Sequence, residues 1–84
     1  MRINYSRHAE EQLKERDISK LLINNILLKP QQVLTAKKGR KIAQSTVELG
    51  GIDFLVRVIY VEKMYCYEVV TVYKTTKIKK YWRD

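Results

Sequence analysis

This sequence contains few of the residues that cross-link a chain, interrupt it or bind metals. Its 84 residues include one cysteine, one proline and one histidine, and lysine and arginine outnumber the acidic residues by 17 to 9. With Cys66 alone no internal disulfide can form, and one cysteine with one histidine cannot supply the four ligands of a structural zinc site. We therefore expect no metal and no cofactor. We also expect Cys66 to be a buried small hydrophobe, in a protein that stays in a reducing cytoplasm.

Long apolar runs are missing as well. No stretch approaches the roughly 20 apolar residues of a membrane span, and residues 1–5 lack the apolar segment of a signal peptide. Hydrophobic residues still make up 45% of the chain, which argues against disorder and predicts one folded domain over residues 1–84. The net charge of +8 favours an anionic partner, which could be a nucleic acid such as RNA, an acidic protein or a membrane surface. A soluble basic protein without such a partner is the alternative.

Local patterns divide the chain into a helical part and a strand-rich part. Ser6 precedes a helical pattern over residues 7–16, and Ser19 precedes a second helix that ends at Leu28, just before Pro30. The second helix has six apolar residues and is expected to be the most buried element. Beyond Pro30 the pattern predicts four strands, over residues 31–36, 41–48, 52–61 and 65–74. Short connections make their pairings antiparallel, so we predict an α+β fold with two N-terminal helices packed on a four-stranded antiparallel sheet.

Two parts of this layout have side chains suited to chemistry. His8, in the first turn of the first helix, has an ordinary pKa of about 6.5 that suits acid–base catalysis, although a solvated surface histidine is the alternative. Arg16 ends the same helix, where a cation also complements the helix dipole. Arg57 lies in the middle of the third strand and needs an acceptor, either a phosphate or a glutamate of the first helix. Both faces of the long strands contain apolar residues, so alternation leaves open which face the helices cover. The simplest arrangement places Arg57 on one open face with Thr71 and Tyr73. If His8 and Arg57 form one site, their side chains must converge within about 10 Å.

Two basic segments are candidate contacts for a nucleic acid. The turn that contains Lys37, Lys38, Arg40 and Lys41 could bind phosphate electrostatically or could simply be a solvated charged turn. The C-terminal segment interleaves cations with aromatic rings, an arrangement that suits RNA, with Lys77, Lys80 and Tyr81 as candidate contacts. The same rings could instead complete the core. Because a chain this short can hardly leave large rings unburied, we predict that Tyr81 and Trp82 dock on the body while the neighbouring lysines stay in solvent.

Several segments together resemble a known bacterial family. They are Tyr5–Ala9, Leu13–Ser19, Lys29-Pro30, Gly39-Arg40, Leu55–Tyr60 and Val70–Ile78. In these segments the chain resembles domain-of-unknown-function family 4258, which is similar to the RelE/ParE-like toxins. The resemblance implies a RelE-like fold and a toxin that cleaves mRNA without a metal, with an acidic antitoxin as a possible protein partner. It also implies that Arg57 and Tyr73 act in catalysis, with Lys80 and Tyr81 as weaker candidates, whereas the RelE motif has no histidine equivalent to His8.

The sequence therefore supports two hypotheses. In the first, the protein is a ribonuclease in which His8 performs acid–base catalysis, Tyr73 positions the substrate or donates a proton, and Arg57 and Arg16 stabilise the phosphate. In the second, it is a non-catalytic module that binds RNA or protein, or a gyrase-directed toxin like the ParE relatives.

Overall fold

The computed structural model describes residues 2–84. The elements in chain order are β1 (Arg2–Tyr5), α1 (Arg7–Glu15), α2 (Lys20–Leu28), β2 (Gln32–Thr35), β3 (Arg40–Leu49), β4 (Ile52–Glu62), β5 (Cys66–Thr75) and α3 (Ile78–Tyr81). The α+β class predicted from the sequence is confirmed, and both predicted helices and all four predicted strands lie within one residue of their expected bounds. Within residues 2–84 no helix is both long enough and apolar enough to cross a bilayer.

Serine side chains begin the first two helices, as their positions in the sequence predict. The Ser6 Oγ accepts a hydrogen bond from the Ala9 N–H at 3.0 Å, and the Ser19 Oγ accepts one from the Leu22 N–H at 3.1 Å. Each bond satisfies one of the N–H groups that the first turn of a helix leaves without a partner. At its other end α2 stops at Lys29, whose backbone is already outside the helical range before Pro30.

The sheet has five strands, one more than predicted, in the order β1-β5-β4-β3-β2. The four predicted strands pair in antiparallel fashion, but β1 joins the edge parallel to β5, with Tyr5 opposite Val69. The expectation of a purely antiparallel four-stranded sheet is therefore wrong. Tyr5 is the last residue of β1, and its hydroxyl donates a hydrogen bond of 2.5 Å to Asn24 Oδ1 in α2. The sheet is mixed because β1 pairs with the last strand of the chain, from which two helices and three strands separate it, so no short hairpin connection makes this pair antiparallel.

Both N-terminal helices pack on the same face of the sheet. The buried core lies between the helices and the sheet and consists of Ala9, Leu13, Ile18, Ile23, Ile26, Leu27, Ala43, Val56, Val58, Tyr60, Val69 and Val72. The expectation that α2 is the most buried element is wrong, because β4 has more buried residues than α2. Only one side of the helix faces the sheet, so Leu21 and Leu28 are 71% and 64% exposed. Cys66 is half-buried at the start of β5 rather than fully buried.

The opposite face of the sheet, here called the distal face, contains Gln44, Arg57 and Tyr73 in one cross-strand row. Arg57 and Tyr73 share this face, as the alternation in the sequence predicted. A register shift between Ile59 and Tyr60 alters the alternation across β5, so that Val69 and Val72 both face the helices. A β-bulge of this kind inserts one unpaired residue and redirects the side chains beyond it.

The C-terminal segment of residues 76–84, here called the strap, crosses the distal face. It includes the single turn of α3, and it runs over Arg57 of β4 and Gln44 of β3 to Gln32 of β2. Its two aromatic residues, Tyr81 and Trp82, are half-buried, whereas Lys77, Lys79, Lys80 and Arg83 are exposed. The prediction that the rings dock on the body and leave the cations in solvent is confirmed.

Candidate functional site

Arg57 is the one charged residue among the buried residues of the described chain, with 8% of its surface exposed. Its Nε donates a hydrogen bond to Gln44 Oε1 at 2.9 Å, and its Nη1 donates one to Tyr73 Oη at 2.6 Å. The ring of Tyr81 covers the guanidinium, with 4.4 Å between Cζ and the ring centroid, and the ring of Tyr73 lies at 5.7 Å. Neutral groups alone therefore hold a buried positive charge.

No carboxylate neutralises this charge. The ion pairs in residues 2–84 involve Arg7, Lys20, Lys41 and Lys63, and none involves Arg57. The expected alternative, a salt bridge from Arg57 to a glutamate of α1, is not found, because the sheet lies between Arg57 and that helix. A buried charge without an opposite charge is costly, and cation–π contacts offset only about 0.5–2 kcal/mol of that cost.

The groups of this site that lack partners are all donors. Arg57 Nη2 has no acceptor within the described chain, and since no buried polar side-chain atom there is without a partner, Nη2 lies within reach of solvent. The Tyr73 hydroxyl accepts from Arg57, and its own proton has no acceptor in the same part of the chain. A guanidinium edge beside a free hydroxyl proton matches the oxygens of a phosphate or carboxylate. The arrangement can therefore bind an anion and stabilise charge that develops on it.

Two glutamines connect this site to the strap. Gln44 accepts from Arg57 through Oε1, and its Nε2 donates to Gln32 Oε1 at 2.7 Å and to the Tyr81 carbonyl at 3.1 Å. This pattern orients the Gln44 amide, because one end contacts only a donor and the other only acceptors. Neither glutamine was predicted from the sequence to belong to the site. The signal available there was Gln44 itself, a polar residue in the middle of a predicted strand.

The other two predicted catalytic residues lie on the helix side of the sheet. His8 is exposed on α1, beside the buried Ala9 that packs against the sheet. Arg16 is the C-cap of α1, and its Nη1 donates to the Val72 carbonyl at 3.4 Å. The predicted convergence of His8 with Arg57 in one cleft is therefore wrong. The structure joins Arg57 to Tyr73 and separates both from His8 and Arg16.

The predicted nucleic-acid contacts form two basic groups on either side of the Arg57 row. Arg40 lies on the distal face two rows away, about 13 Å along the strand at 3.3 Å per residue, with Lys37 and Lys38 exposed in the turn before it. Lys41 points to the helix side and pairs with Glu62 at 3.1 Å, a bond that raises the pKa of Lys41. At the other end Lys77 and Lys80 are exposed on the strap. Tyr81 covers Arg57 itself, so the face combines cations at both ends with aromatic rings at its centre.

Comparison with protein-family models, with curated proteins and with solved structures finds no match to this chain.

Proposed function

We propose that this protein binds single-stranded RNA on its distal face, with a backbone phosphate at the Arg57–Tyr73 pair. The observation that supports this is the buried Arg57 guanidinium, which has no carboxylate partner and retains donors on the side that solvent reaches. A phosphate would supply the missing negative charge and would accept from both Nη2 and the Tyr73 hydroxyl.

The surroundings of the pair favour RNA over an isolated anion. Exposed cations lie on both sides of the row, and the ring of Tyr73 lies next to the guanidinium. Single-stranded RNA binds to surfaces of this composition, because bases stack on rings while lysines contact the phosphates. The only helix on the distal face is the single turn of α3, which is too short to enter the major groove of duplex DNA.

The test compares two arginine-to-lysine variants in the binding of a fluorescent 12-nucleotide RNA by anisotropy. Arg57→Lys keeps the charge but removes the planar fork, and a lost charge-assisted contact of about 1.5–3 kcal/mol should weaken binding about 10- to 150-fold. Arg7→Lys changes an exposed residue of α1 in the same way and should bind like the wild type. Thermal melts by circular dichroism check that both variants are folded. Equal affinities for folded Arg57→Lys and wild type would show that Arg57 is not the phosphate contact, and absence of RNA binding by the wild type at low salt would favour an acidic protein partner.

A second candidate function, metal-independent RNA cleavage of the toxin type, is favoured by the free Tyr73 proton. In this reaction the 2′-OH gives up its proton to solvent water and attacks the adjacent phosphorus, the bond to the 5′-oxygen breaks, and the products are a 2′,3′-cyclic phosphate and a 5′-hydroxyl. Tyr73 would protonate the leaving 5′-oxygen, and Arg57 would stabilise the charge on the phosphorane. His8 has no part in this step, since it lies on the other side of the sheet.

Cleavage is tested with the same RNA in the presence of EDTA. If Tyr73 is the acid, Tyr73→Phe should slow cleavage about 100-fold or more, while its RNA affinity falls much less. His8→Ala should cleave at the wild-type rate. Loss of cleavage in His8→Ala, with the fold intact, would return His8 to the catalytic role predicted from the sequence.

A further inference from the structure

The strap occupies the place that an RNA phosphate or base would take on the distal face. The Tyr81 ring lies 4.4 Å from the Arg57 guanidinium and packs edge-on against the Tyr73 ring, with 6.2 Å between centroids. The face of an aromatic ring has negative potential, so Tyr81 supplies part of what an anion would supply to Arg57. With Tyr81 in place only 8% of the Arg57 surface is exposed. A phosphate that contacts Arg57 fully must therefore displace this ring.

The contacts that hold the strap are neutral. The Arg83 N–H donates to Gln32 Oε1 at 3.1 Å, Gln32 Nε2 donates back to the Arg83 carbonyl, and Gln44 Nε2 donates to the Tyr81 carbonyl. Within residues 2–84 none of the ion pairs involves a strap residue. The single turn of α3 has no side-chain cap, and so short a helix is not stable by itself. The strap is thus a weakly held cover over the one buried charge of the described chain.

From these observations we infer that the strap is a displaceable cover that competes with RNA for Arg57. This inference rests on the proposed RNA site and adds a regulatory step to it. In the closed state Tyr81 screens the guanidinium, and in the open state Arg57 and Tyr73 are free to bind phosphate. The observed affinity for RNA is then the intrinsic affinity reduced by the fraction of molecules that are open. Any change that loosens the strap without touching Arg57 should strengthen RNA binding.

Gln32→Ala tests this competition, with Gln31→Ala as the matched control. Gln32 forms two hydrogen bonds with Arg83 of the strap, whereas the Gln31 side chain accepts from the N–H and hydroxyl of Thr46, away from the strap. Trp82 is the only tryptophan of the chain, so its fluorescence reports on the strap alone. In Gln32→Ala we expect acrylamide to quench Trp82 more strongly and the affinity for 12-nucleotide oligouridine to rise about tenfold. Gln31→Ala should match the wild type in both measurements.

The wild-type chain provides a second measurement that does not depend on a variant folding. Saturation with 12-nucleotide oligouridine should open the strap and raise the acrylamide quenching of Trp82 above that of the RNA-free wild type. If Trp82 becomes more shielded as RNA binds, the strap is part of the RNA-binding surface and the competition is refuted. Weaker or unchanged RNA binding by Gln32→Ala, with Trp82 exposed, refutes it too.

These failures are distinguishable from failure of the RNA site itself. When Arg57→Lys loses RNA affinity but Trp82 stays shielded at saturation, the site is supported and the displaceable cover is wrong. When folded Arg57→Lys binds oligouridine like the wild type, Arg57 is not the phosphate contact, and the competition fails together with the site.

Discussion

Replacement of Gln44 tests whether neutral hydrogen bonds hold the buried charge of Arg57. Gln44→Leu removes the acceptor of the Arg57 Nε, a loss of about 1.5–3 kcal/mol because the donor is charged and buried. It also removes the bonds from Nε2 to Gln32 and to the Tyr81 carbonyl, about 0.5–1.5 kcal/mol each. The leucine side chain gains about 1–2 kcal/mol from apolar burial. We expect a net loss of about 2–3 kcal/mol, or roughly 10–20 °C in the melting temperature of a domain this small.

Gln44→Leu should lower the free energy of unfolding much less in a variant that lacks Arg57. In Arg57→Met the charged donor is absent, so Gln44→Leu then loses only the neutral bonds and should change the stability by less than about 1 kcal/mol. Urea unfolding of the wild type, both single variants and the double variant, followed by circular dichroism, measures the coupling, which we expect to be about 2 kcal/mol. Gln31→Leu serves as the control and should cost the same in both backgrounds. A coupling below about 0.5 kcal/mol would refute the view that Gln44 stabilises the buried guanidinium.

Two further predictions concern charge and alkaline pH. If the turn before β3 contacts phosphate, the logarithm of RNA affinity should fall with the logarithm of salt concentration, with a slope of about 0.7 per contact. The double variant Lys37→Glu, Lys38→Glu should then have a flatter slope, whereas an unchanged slope would show that these lysines do not contact RNA. Burial raises the pKa of Tyr5 to about 12, above its ordinary value of 10.0, so the stability that the neutral phenol contributes is complete below pH 10 and is lost as the pH rises towards 12. Tyr5→Phe, which also lacks the hydrogen bond to Asn24, should be less stable than the wild type at neutral pH but should lose less stability between pH 10 and 12. The exposed Tyr65→Phe should follow the wild type in urea unfolding at each pH, and parallel curves for Tyr5→Phe and wild type would contradict the assignment to Tyr5.

Elements with local causes could be predicted from the pattern of residues along the chain. Ser6 and Ser19 begin helices because their side chains bond to N–H groups three residues later, and Gly50-Gly51 turns β3 into β4 with φ angles of 60° and 80° that favour glycine. Alternation within strands likewise placed Arg57 and Tyr73 on one face, which is the centre of the candidate site. These features depend on neighbours a few residues away, so the pattern of the chain contains them.

Features that depend on residues distant in the chain could be seen only in the folded protein. Residues 2–5 form a strand only because β5, more than 60 positions later, lies beside them, and the bulge between Ile59 and Tyr60 shifts register in a way that alternation does not predict. Both faces of β4 contain apolar residues, so the sequence left open which face the helices cover, and that choice separates His8 from Arg57. The contacts of Gln44 and Gln32 with the strap also required the register of three strands and the path of residues 76–84. Hydrogen bonds and the environment of a buried charge depend on which atoms come together when the chain folds, and the order of residues alone does not show which atoms these are.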